Sequence, residues 1–283
     1  TPDAVLGGSA VLTTTGMGTT GNPGDEALEL GAVNDGAYAQ TAAGPHLDLA
    51  AINNSMAVSF WQFNTSFGNT SAFWIHSPDA TGNMRGFQAH TPWGNGTIFF
   101  DQSGCCGGPQ RLTTTGVVTD AWQHFVFQRN AFGERQIWID GVLAASAPDA
   151  EPLDAFDGII TLGAEGPTLA NSFGGRIDDF AIFANTLSPE QVVELANGAN
   201  PPDLISPPVP FIITAIDRDD AGGRTTITWN SRTNRTYAVD SSIRTLTHDV
   251  ALRLKGWRHH VASELRSNAM HQPRTLVRGT RSH

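Results

Sequence analysis

Short runs of alternating or apolar residues, separated by Gly, Asn and Asp, follow one another along most of this chain. Period-2 alternation bounded by turn residues is typical of β-strands. Long amphipathic stretches are almost absent, and 30 Gly and 16 Pro among 283 residues argue against a helical bundle. The pattern predicts an all-β fold, a two-sheet antiparallel sandwich or jelly roll. The predicted strands cover residues 37–41, 56–64, 71–76, 85–90, 96–101, 122–130, 134–139, 142–146, 159–163 and 174–183.

Two dipeptides predict tight hairpins within this series. Asp140-Gly141 lies between two apolar runs, and Asn95-Gly96 precedes another. Both pairs favour the positive φ angles that a two-residue hairpin turn requires. We therefore expect strands 134–139 and 142–146 to pair, and the strand at 96–101 to pair with the one before it.

One short helix is predicted after the last strand. Ser188 is a suitable N-cap, Pro189 suits the first helical position, and Gln191 has the spacing of a capping box. Gly198 is the expected end of this helix.

The charge of the chain is divided sharply. Residues 241–283 carry 8 Lys and Arg against 2 Asp and Glu, a net charge of +6, whereas residues 1–240 carry 9 against 25, a net charge of −16. An acidic body without a basic stripe disfavours nucleic acid as a partner. No run of 18 apolar residues occurs, so we also expect no membrane insertion.

These shifts in composition predict five segments. The part after residue 210 is expected to be an incomplete module of three strands, at 211–217, 224–229 and 235–240, followed by a mobile tail. Two explanations of the tail are open: a natural basic tail, or a shift of the reading frame near residue 242. Within the tail, only residues 250–254 and 261–265 favour transient helix. The segments are a lead-in at 1–26, the sandwich at 27–200, a Pro-rich linker at 201–210, a partial β module at 211–240 and a basic tail at 241–283.

Four ordered motifs resemble a known family. They are Met56-Ala57-Val58-Ser59-Phe60-Trp61, Ala121-Trp122-Gln123-His124-Phe125-Val126, Ile137-Trp138-Ile139-Asp140-Gly141, and Gly175-Arg176-Ile177-Asp178-Asp179-Phe180 with the helix start at 187–191. Together they are similar to the laminin-G-like, concanavalin A-like jelly-roll domains of secreted bacterial proteins. The resemblance implies two antiparallel sheets, one of them concave, in a secreted or cell-surface binding or adhesion domain that often holds calcium. The chain begins with Thr1, which fits a piece of a longer protein, and a monomer is the default expectation.

Calcium is the metal that the resemblance favours. It places a ligand at Asp178, with Asn34 and Asp35 as lower-ranking partners, and hard oxygen ligands suit this ion. Alternation predicts that Asp178, Phe180 and Ile182 share one face of their strand. An Asp178 carboxylate that is simply hydrogen-bonded to a loop backbone is the alternative.

Glycan binding requires aromatic faces and short polar side chains. His90, Trp93, Asp101 and Arg111 fall at predicted strand ends or turns and are candidates for one rim, although Trp93 is as consistent with a structural role. Three tryptophans in mid-strand are expected to belong to the core instead: Trp61, Trp122 and Trp138.

The two cysteines are adjacent, at Cys105 and Cys106, within a glycine-rich segment. In an oxidising compartment they favour a vicinal disulfide, although neighbouring Cα atoms lie closer than a relaxed bridge prefers. Free thiols and an intermolecular bond are the alternatives.

Catalytic motifs are missing from the sequence. The Glu-x-Asp-x-x-Glu strand of sandwich-type glycoside hydrolases does not occur, nor does a Gly-x-Ser-x-Gly elbow. We therefore expect a non-catalytic extracellular domain that binds carbohydrate or mediates adhesion. The alternatives are a structural spacer and, with less support, a polysaccharide hydrolase or lyase.

Overall fold

Alternating side chains of the first 205 residues build two seven-stranded antiparallel sheets. The computed structural model describes residues 3–79, 86–103, 110–148, 150–153, 155 and 157–205, and the backbone of five later strands. The strands of the first unit are β1 Ala4–Gly7, β2 Val11–Leu12, β3 Leu28–Glu29, β4 Tyr38–Thr41, β5 Met56–Asn64, β6 Phe73–His76, β7 Phe87–Trp93, β8 Thr97–Gln102, β9 Arg111–Thr115, β10 Trp122–Arg129, β11 Arg135–Ile139, β12 Val142–Ala147, β13 Ile159–Leu162 and β14 Gly175–Phe183. The helices are α1 Asp48–Asn53, α2 Pro189–Ala196 and α3 Pro201–Ile205.

Strand order divides the first unit into two layers. Sheet A has the order β1-β4-β13-β6-β7-β8-β9, and sheet B has the order β12-β11-β10-β5-β14-β3-β2. Every pairing between these strands is antiparallel. The predicted all-β, two-sheet antiparallel jelly-roll sandwich is confirmed, and each predicted run contains a strand.

Phenylalanine rings fill the space between the sheets. Phe60 of sheet B contacts Phe73 of sheet A edge to face at 5.8 Å, and Phe100 of sheet A meets Phe127 of sheet B at 5.5 Å. All four rings are fully buried. Truncating one of them to alanine is expected to destabilise the fold by about 3–5 kcal/mol.

The predicted capping signal produces α2. The Ser188 hydroxyl accepts a hydrogen bond from the Gln191 backbone, and the Gln191 side chain accepts one from the Ser188 backbone, which closes the capping box. Gly198 follows with a positive φ. The apolar side of α2, Val192 and Leu195, packs on sheet B against Trp138.

Both predicted hairpins form. Asp140 and Gly141 have φ of 49° and 80° and connect β11 to β12. The connection from β7 to β8 has three residues, Gly94 to Gly96, one more than the Asn-Gly pair alone.

The boundaries of the predicted segments differ from the structure. The lead-in at 1–26 contributes β1 to sheet A and β2 to sheet B, so it is part of the sandwich. Prolines 201 and 202 begin α3 where we expected a linker, because proline is compatible with the first turn of a helix. Three further elements, α1, β3 and β9, had no predicted counterpart.

Residues 206–283 form a second unit. Its strands are β15 Ile213–Asp219, β16 Arg224–Trp229, β17 Ala238–Ile243, β18 Val250–Lys255 and β19 Arg274–Leu276, arranged as β15-β16-β19 and as the pair β17-β18. The expected three-strand fragment is therefore wrong, since its third strand pairs with a strand of the tail. Residues 250–254 are strand rather than the predicted transient helix, because Val250, Leu252 and Leu254 recur at every second position. The other segment predicted as transient helix, 261–265, lies outside the described residues.

None of the helices among the described residues has the length and apolar character needed to cross a membrane.

Candidate functional site

Three neighbouring strands of sheet A, β7, β8 and β9, bring the four predicted binding residues together. Phe87 and Ala89 of β7 point into the core, so Gln88 and His90 point away from it. His90 pairs with Phe99 of β8, and further along β8 Asp101 pairs with Arg111 of β9. We call this surface the outer face of sheet A, defined by Trp74, Gln88, His90, Trp93, Phe99, Asp101 and Arg111.

A β-bulge places Trp93 on this face. Three steps along β7, from His90 to Trp93, oppose two steps along β8, from Phe99 to Thr97. The extra residue turns Trp93 to the same side as His90, whereas strict alternation would point it to the opposite side. The Thr91 side chain points inward and donates a hydrogen bond to Gln62 at 2.6 Å.

A two-pronged ion pair joins β8 to β9. Arg111 donates from Nε to Oδ1 of Asp101 and from Nη2 to Oδ2, both at 2.6 Å. Asp101 is completely buried, whereas the Arg111 side chain keeps 18% of its surface exposed. Bidentate pairing fixes the orientation of the guanidinium plane. The Asp101 carboxylate is therefore occupied in holding Arg111.

Buried polar groups extend this support beneath the surface. His90 is 1% exposed, and its Nδ1 lies 3.1 Å from the Thr70 carbonyl oxygen and 3.0 Å from the Ser71 hydroxyl. Gln88 donates from Nε2 to Oδ2 of Asp101 at 3.3 Å, and the same nitrogen lies 3.3 Å from Nε2 of His90. The network positions the rings and the guanidinium above it.

Planar groups stand side by side at the surface. The Arg111 guanidinium carbon lies 3.9 Å from the centre of the Phe99 ring. Trp93 lies 6.4 Å from Phe99 and 4.7 Å from His90, centre to centre. Trp93, Phe99 and Arg111 are partly exposed, whereas His90 and Asp101 are buried. Of the four residues predicted to line a rim, only Trp93 and Arg111 thus reach the surface.

The family of the chain is decided by comparison with known proteins. A family profile described as laminin G type, of the concanavalin A-like lectin/glucanases superfamily, matches residues 33–193, more than half of the chain. The chain belongs to this superfamily. Comparison with curated protein sequences gives no match.

Solved structures of this superfamily's fold resemble the chain at low sequence identity. The binding domain of botulinum neurotoxin DC, in complex with rat synaptotagmin II, has a TM-score of 0.50 and 15% identity over 89% of this chain and 66% of that one. The same domain in complex with SialylT has a TM-score of 0.50 and 15% identity, over 89% of this chain and 64% of that one. Domain 4 of an extracellular arabinanase from Geobacillus stearothermophilus, in complex with arabinotriose, has a TM-score of 0.48 and 18% identity, over 68% of this chain and 87% of that one.

The carboxylates proposed as calcium ligands already have protein partners. Asp178 accepts hydrogen bonds from the backbone N–H groups of Thr19 at 2.9 Å and Asp179 at 2.8 Å. Asp35 accepts one from the Ser9 hydroxyl at 2.7 Å, and the Asn34 backbone bonds to Ser172. Within the described part of the chain, no group of three or more His, Cys, Asp or Glu side chains is placed to hold a metal. Calcium at Asp178, Asn34 and Asp35 stays a prediction.

The predicted alternation around Asp178 is wrong because β14 also contains a bulge. Asp178 pairs with Trp61 and Ala181 with Ser59, so three steps oppose two. Asp179, with φ of 49°, is the extra residue. Asp178 therefore lies on the outer side of sheet B, whereas Phe180 and Ile182 pack against the core.

Sequence reasoning missed a second aromatic surface. We call it the outer face of sheet B, defined by Ala57, Ser59, Trp61, Phe63, Trp122, His124, Val126 and Trp138. Trp61 and Trp122 were expected in the core but are partly exposed on this face. Their neighbours along the strands explain this, since Phe60 and Phe125 take the inward positions. Trp138 is buried as predicted, beneath α2.

A buried histidine supports this second surface. His124 lies 5.2 Å from Trp61, and its Nε2 is 2.9 Å from the Ser59 hydroxyl. Burial lowers the pKa of His124 to about 4, so the ring is neutral at neutral pH.

The predicted disulfide partners, Cys105 and Cys106, lie outside the described residues.

Proposed function

We propose that this chain is a non-catalytic, extracellular carbohydrate-binding domain whose ligand contacts the outer face of sheet A. The observation that carries the proposal is the exposed row of Trp93, Phe99 and Arg111, fixed by the buried Asp101 carboxylate. Aromatic surfaces contact the apolar faces of sugars, and an oriented guanidinium donates hydrogen bonds to hydroxyl oxygens. A rigid row loses little conformational entropy when a glycan binds.

The superfamily supports this function. The botulinum neurotoxin DC binding domain, with which the chain shares its fold, is in complex with the carbohydrate SialylT. Fold likeness alone does not assign a ligand, so the proposal depends on the side chains of this chain. We expect its glycan to differ from SialylT, because the acidic body of residues 1–240 repels anionic sugars.

Catalysis is disfavoured by the carboxylates of the same face. Glycoside hydrolysis requires two carboxyl groups about 5–9.5 Å apart. Among the described strand residues of the outer face of sheet A, Asp101 is the only carboxylate, and Arg111 binds both of its oxygens. A two-carboxylate hydrolase mechanism therefore has no free acid or nucleophile on these strands.

A glycan array with the full chain tests the proposal. We expect binding to a group of related neutral glycans, and Trp93→Ala should weaken that binding at least tenfold because an aromatic contact is lost. Phe132→Ala is the matched control, since Phe132 is 95% exposed on the turn between β10 and β11. Absence of binding across the array, or equal effects of the two substitutions, would favour the structural-spacer alternative.

A further inference from the structure

Four residues form a continuous row across neighbouring strands of sheet B. Trp122 of β10 pairs with Phe63 of β5, Phe63 pairs with Arg176 of β14, and Arg176 pairs with Glu29 of β3. We call these four residues the cross-strand row. Strands lie about 4.8 Å apart, so the row extends for about 14 Å. It lies on the half of the outer face that α2 does not cover, because α2 packs against Val126 and Trp138.

Each member of the row is held by its neighbour. The Trp122 and Phe63 rings meet edge to face with centres 5.7 Å apart. Arg176 lies over Phe63 with its guanidinium carbon 5.3 Å from the ring centre, and its Nε donates to Oε2 of Glu29 at 2.8 Å. The Arg176 and Glu29 side chains remain 24% and 29% exposed. The row therefore presents ring surface, a hydrogen-bond donor and an acceptor to solvent in one line.

The chemistry of the row selects among possible partners. Its one cation and one anion neutralise each other, while residues 1–240 as a whole carry a net charge of −16. Nucleic acids, anionic glycans and acidic membranes would be repelled by that body. Extended apolar peptides would cover the Arg176 and Glu29 pair without bonding the donor and acceptor atoms that the pair leaves free, which costs binding energy. A narrow row of rings and paired polar groups fits an uncharged chain whose units alternate apolar faces with hydroxyl groups.

We propose that the cross-strand row is a second binding site, for a neutral polysaccharide chain, on the sheet opposite the first. Trp122 and Phe63 contact sugar rings, and Arg176 and Glu29 bond hydroxyl groups while remaining paired. The site is independent of the outer face of sheet A, because it rests on different strands of the other sheet. A chain with both sites attaches to a polysaccharide at two places, or joins two polysaccharide chains.

Native affinity electrophoresis of the full chain tests the second site separately. The gels contain arabinan, arabinoxylan or mixed-linkage β-glucan, all neutral, and the protein carries Trp93→Ala so that the first site is weakened. We expect at least one polysaccharide to retard this protein, and additional Trp122→Ala to weaken the binding about tenfold. Leu143→Ala is the control, since Leu143 lies on the edge strand β12 of the same sheet and is 44% exposed.

A second substitution guards against a folding defect. Trp122→Leu keeps an apolar side chain in the half-buried position and removes the ring, and its melting temperature is measured beside its affinity. Loss of retardation with an unchanged melting temperature supports the second site. Retardation that Trp122→Ala and Trp122→Leu leave unaltered, or no retardation of the Trp93→Ala protein by any of the three polysaccharides, overturns it. Failure of the first site is recognised separately, because Trp93→Ala alone would then bind as the wild type does.

Discussion

The two outer faces of the sandwich use the same Arg and carboxylate chemistry in different surroundings. On sheet A the Asp101 carboxylate is completely buried beneath Arg111, whereas on sheet B the pair of Arg176 and Glu29 lies in partial contact with water. A buried charge that loses its partner is costly, while an exposed pair contributes little. The pair on sheet A therefore stabilises the fold and orients its site, and the pair on sheet B keeps exposed donor and acceptor atoms for a ligand while it stays paired.

Both faces also depend on a bulge. The bulge of β7 turns Trp93 outward on sheet A, and the bulge of β14 turns Phe180 and Ile182 inward on sheet B, to the side opposite Asp178. A single extra residue reverses the side to which all later side chains point. The composition of each face is thus set by the position of its bulge as much as by its strand sequences.

Removing each carboxylate gives the largest expected contrast between the faces. Asp101→Asn leaves the Arg111 guanidinium beside a neutral amide, and we expect it to lower the free energy of unfolding by about 3 kcal/mol. Glu29→Gln should lower it by less than about 1 kcal/mol, because water replaces the lost partner. Urea unfolding of both variants measures the difference. Equal losses would show that the two pairs are energetically alike.

The acid sensitivity of sheet B is the next largest effect. The pKa of His124 is lowered by burial, so its contribution to stability is present above pH 6.5 and is lost as pH falls towards about 4. The lowering of the His124 pKa from 6.5 to about 4 corresponds to about 3 kcal/mol of folding free energy. His124→Gln, which has no group titrating in this range, should lose less stability between pH 6.5 and 4.5. Parallel stability curves for the variant and the wild type would exclude a role for His124.

Calcium sharpens the comparison at strand β14 of sheet B. If Asp178 binds the ion in the folded state only, millimolar calcium should stabilise a chelator-treated sample by about 1–3 kcal/mol. Asp178→Ala should abolish the increase in melting temperature. No calcium response in the wild type would contradict the prediction and leave Asp178 with its backbone hydrogen bonds alone.

The smallest expected effect concerns the bulge residue Asp179. Burial, followed by the nearby carboxylates of Asp178 and Asp25, raises the pKa of Asp179. Its contribution to stability is therefore present at low pH and is lost as pH rises through the raised pKa. Asp179→Asn should increase stability at pH 7 by less than about 1 kcal/mol, because the residue as a whole is exposed, so that water screens its partly buried carboxylate, and asparagine tolerates the positive φ. The gain should disappear below pH 3.8 in thermal unfolding, and a loss at pH 7 would refute it.

The sequence predicted the parts of the fold that depend on local chemistry. Alternation located ten of the fourteen strands of the first unit, and Ser188 with Gln191 located α2, because capping acts over four residues. Bulges depend on pairing between distant strands, so the outward position of Trp93 and the inward positions of Phe180 and Ile182 could not be derived from alternation. Pro92 within β7 was the available signal, since proline in a strand often accompanies a bulge.

The candidate site was predicted only in part for a related reason. His90 and Asp101 were predicted to contact the ligand because of their residue type. Burial decides whether such a residue contacts the ligand itself or holds a neighbouring residue that does, and both are buried. Trp61 and Trp122 were assigned to the core because they lie in mid-strand. Their strands already provide Phe60 and Phe125 for the inward positions. In β10, where Phe125 and Phe127 share one side, counting the phenylalanines on each side would have placed Trp122 outside, whereas Phe60 and Phe63 of β5 lie on opposite sides.

The indole N–H signals of the seven tryptophans provide the most direct test of the carbohydrate-binding face. Each signal is assigned by a Trp→Phe substitution, and the protein is titrated with a glycan that it binds on the array. We predict that the Trp93 signal shifts in proportion to the bound fraction, while the signal of Trp138, buried beneath α2, does not move. Binding of the glycan with an unmoved Trp93 signal would contradict the assignment of the ligand to the outer face of sheet A.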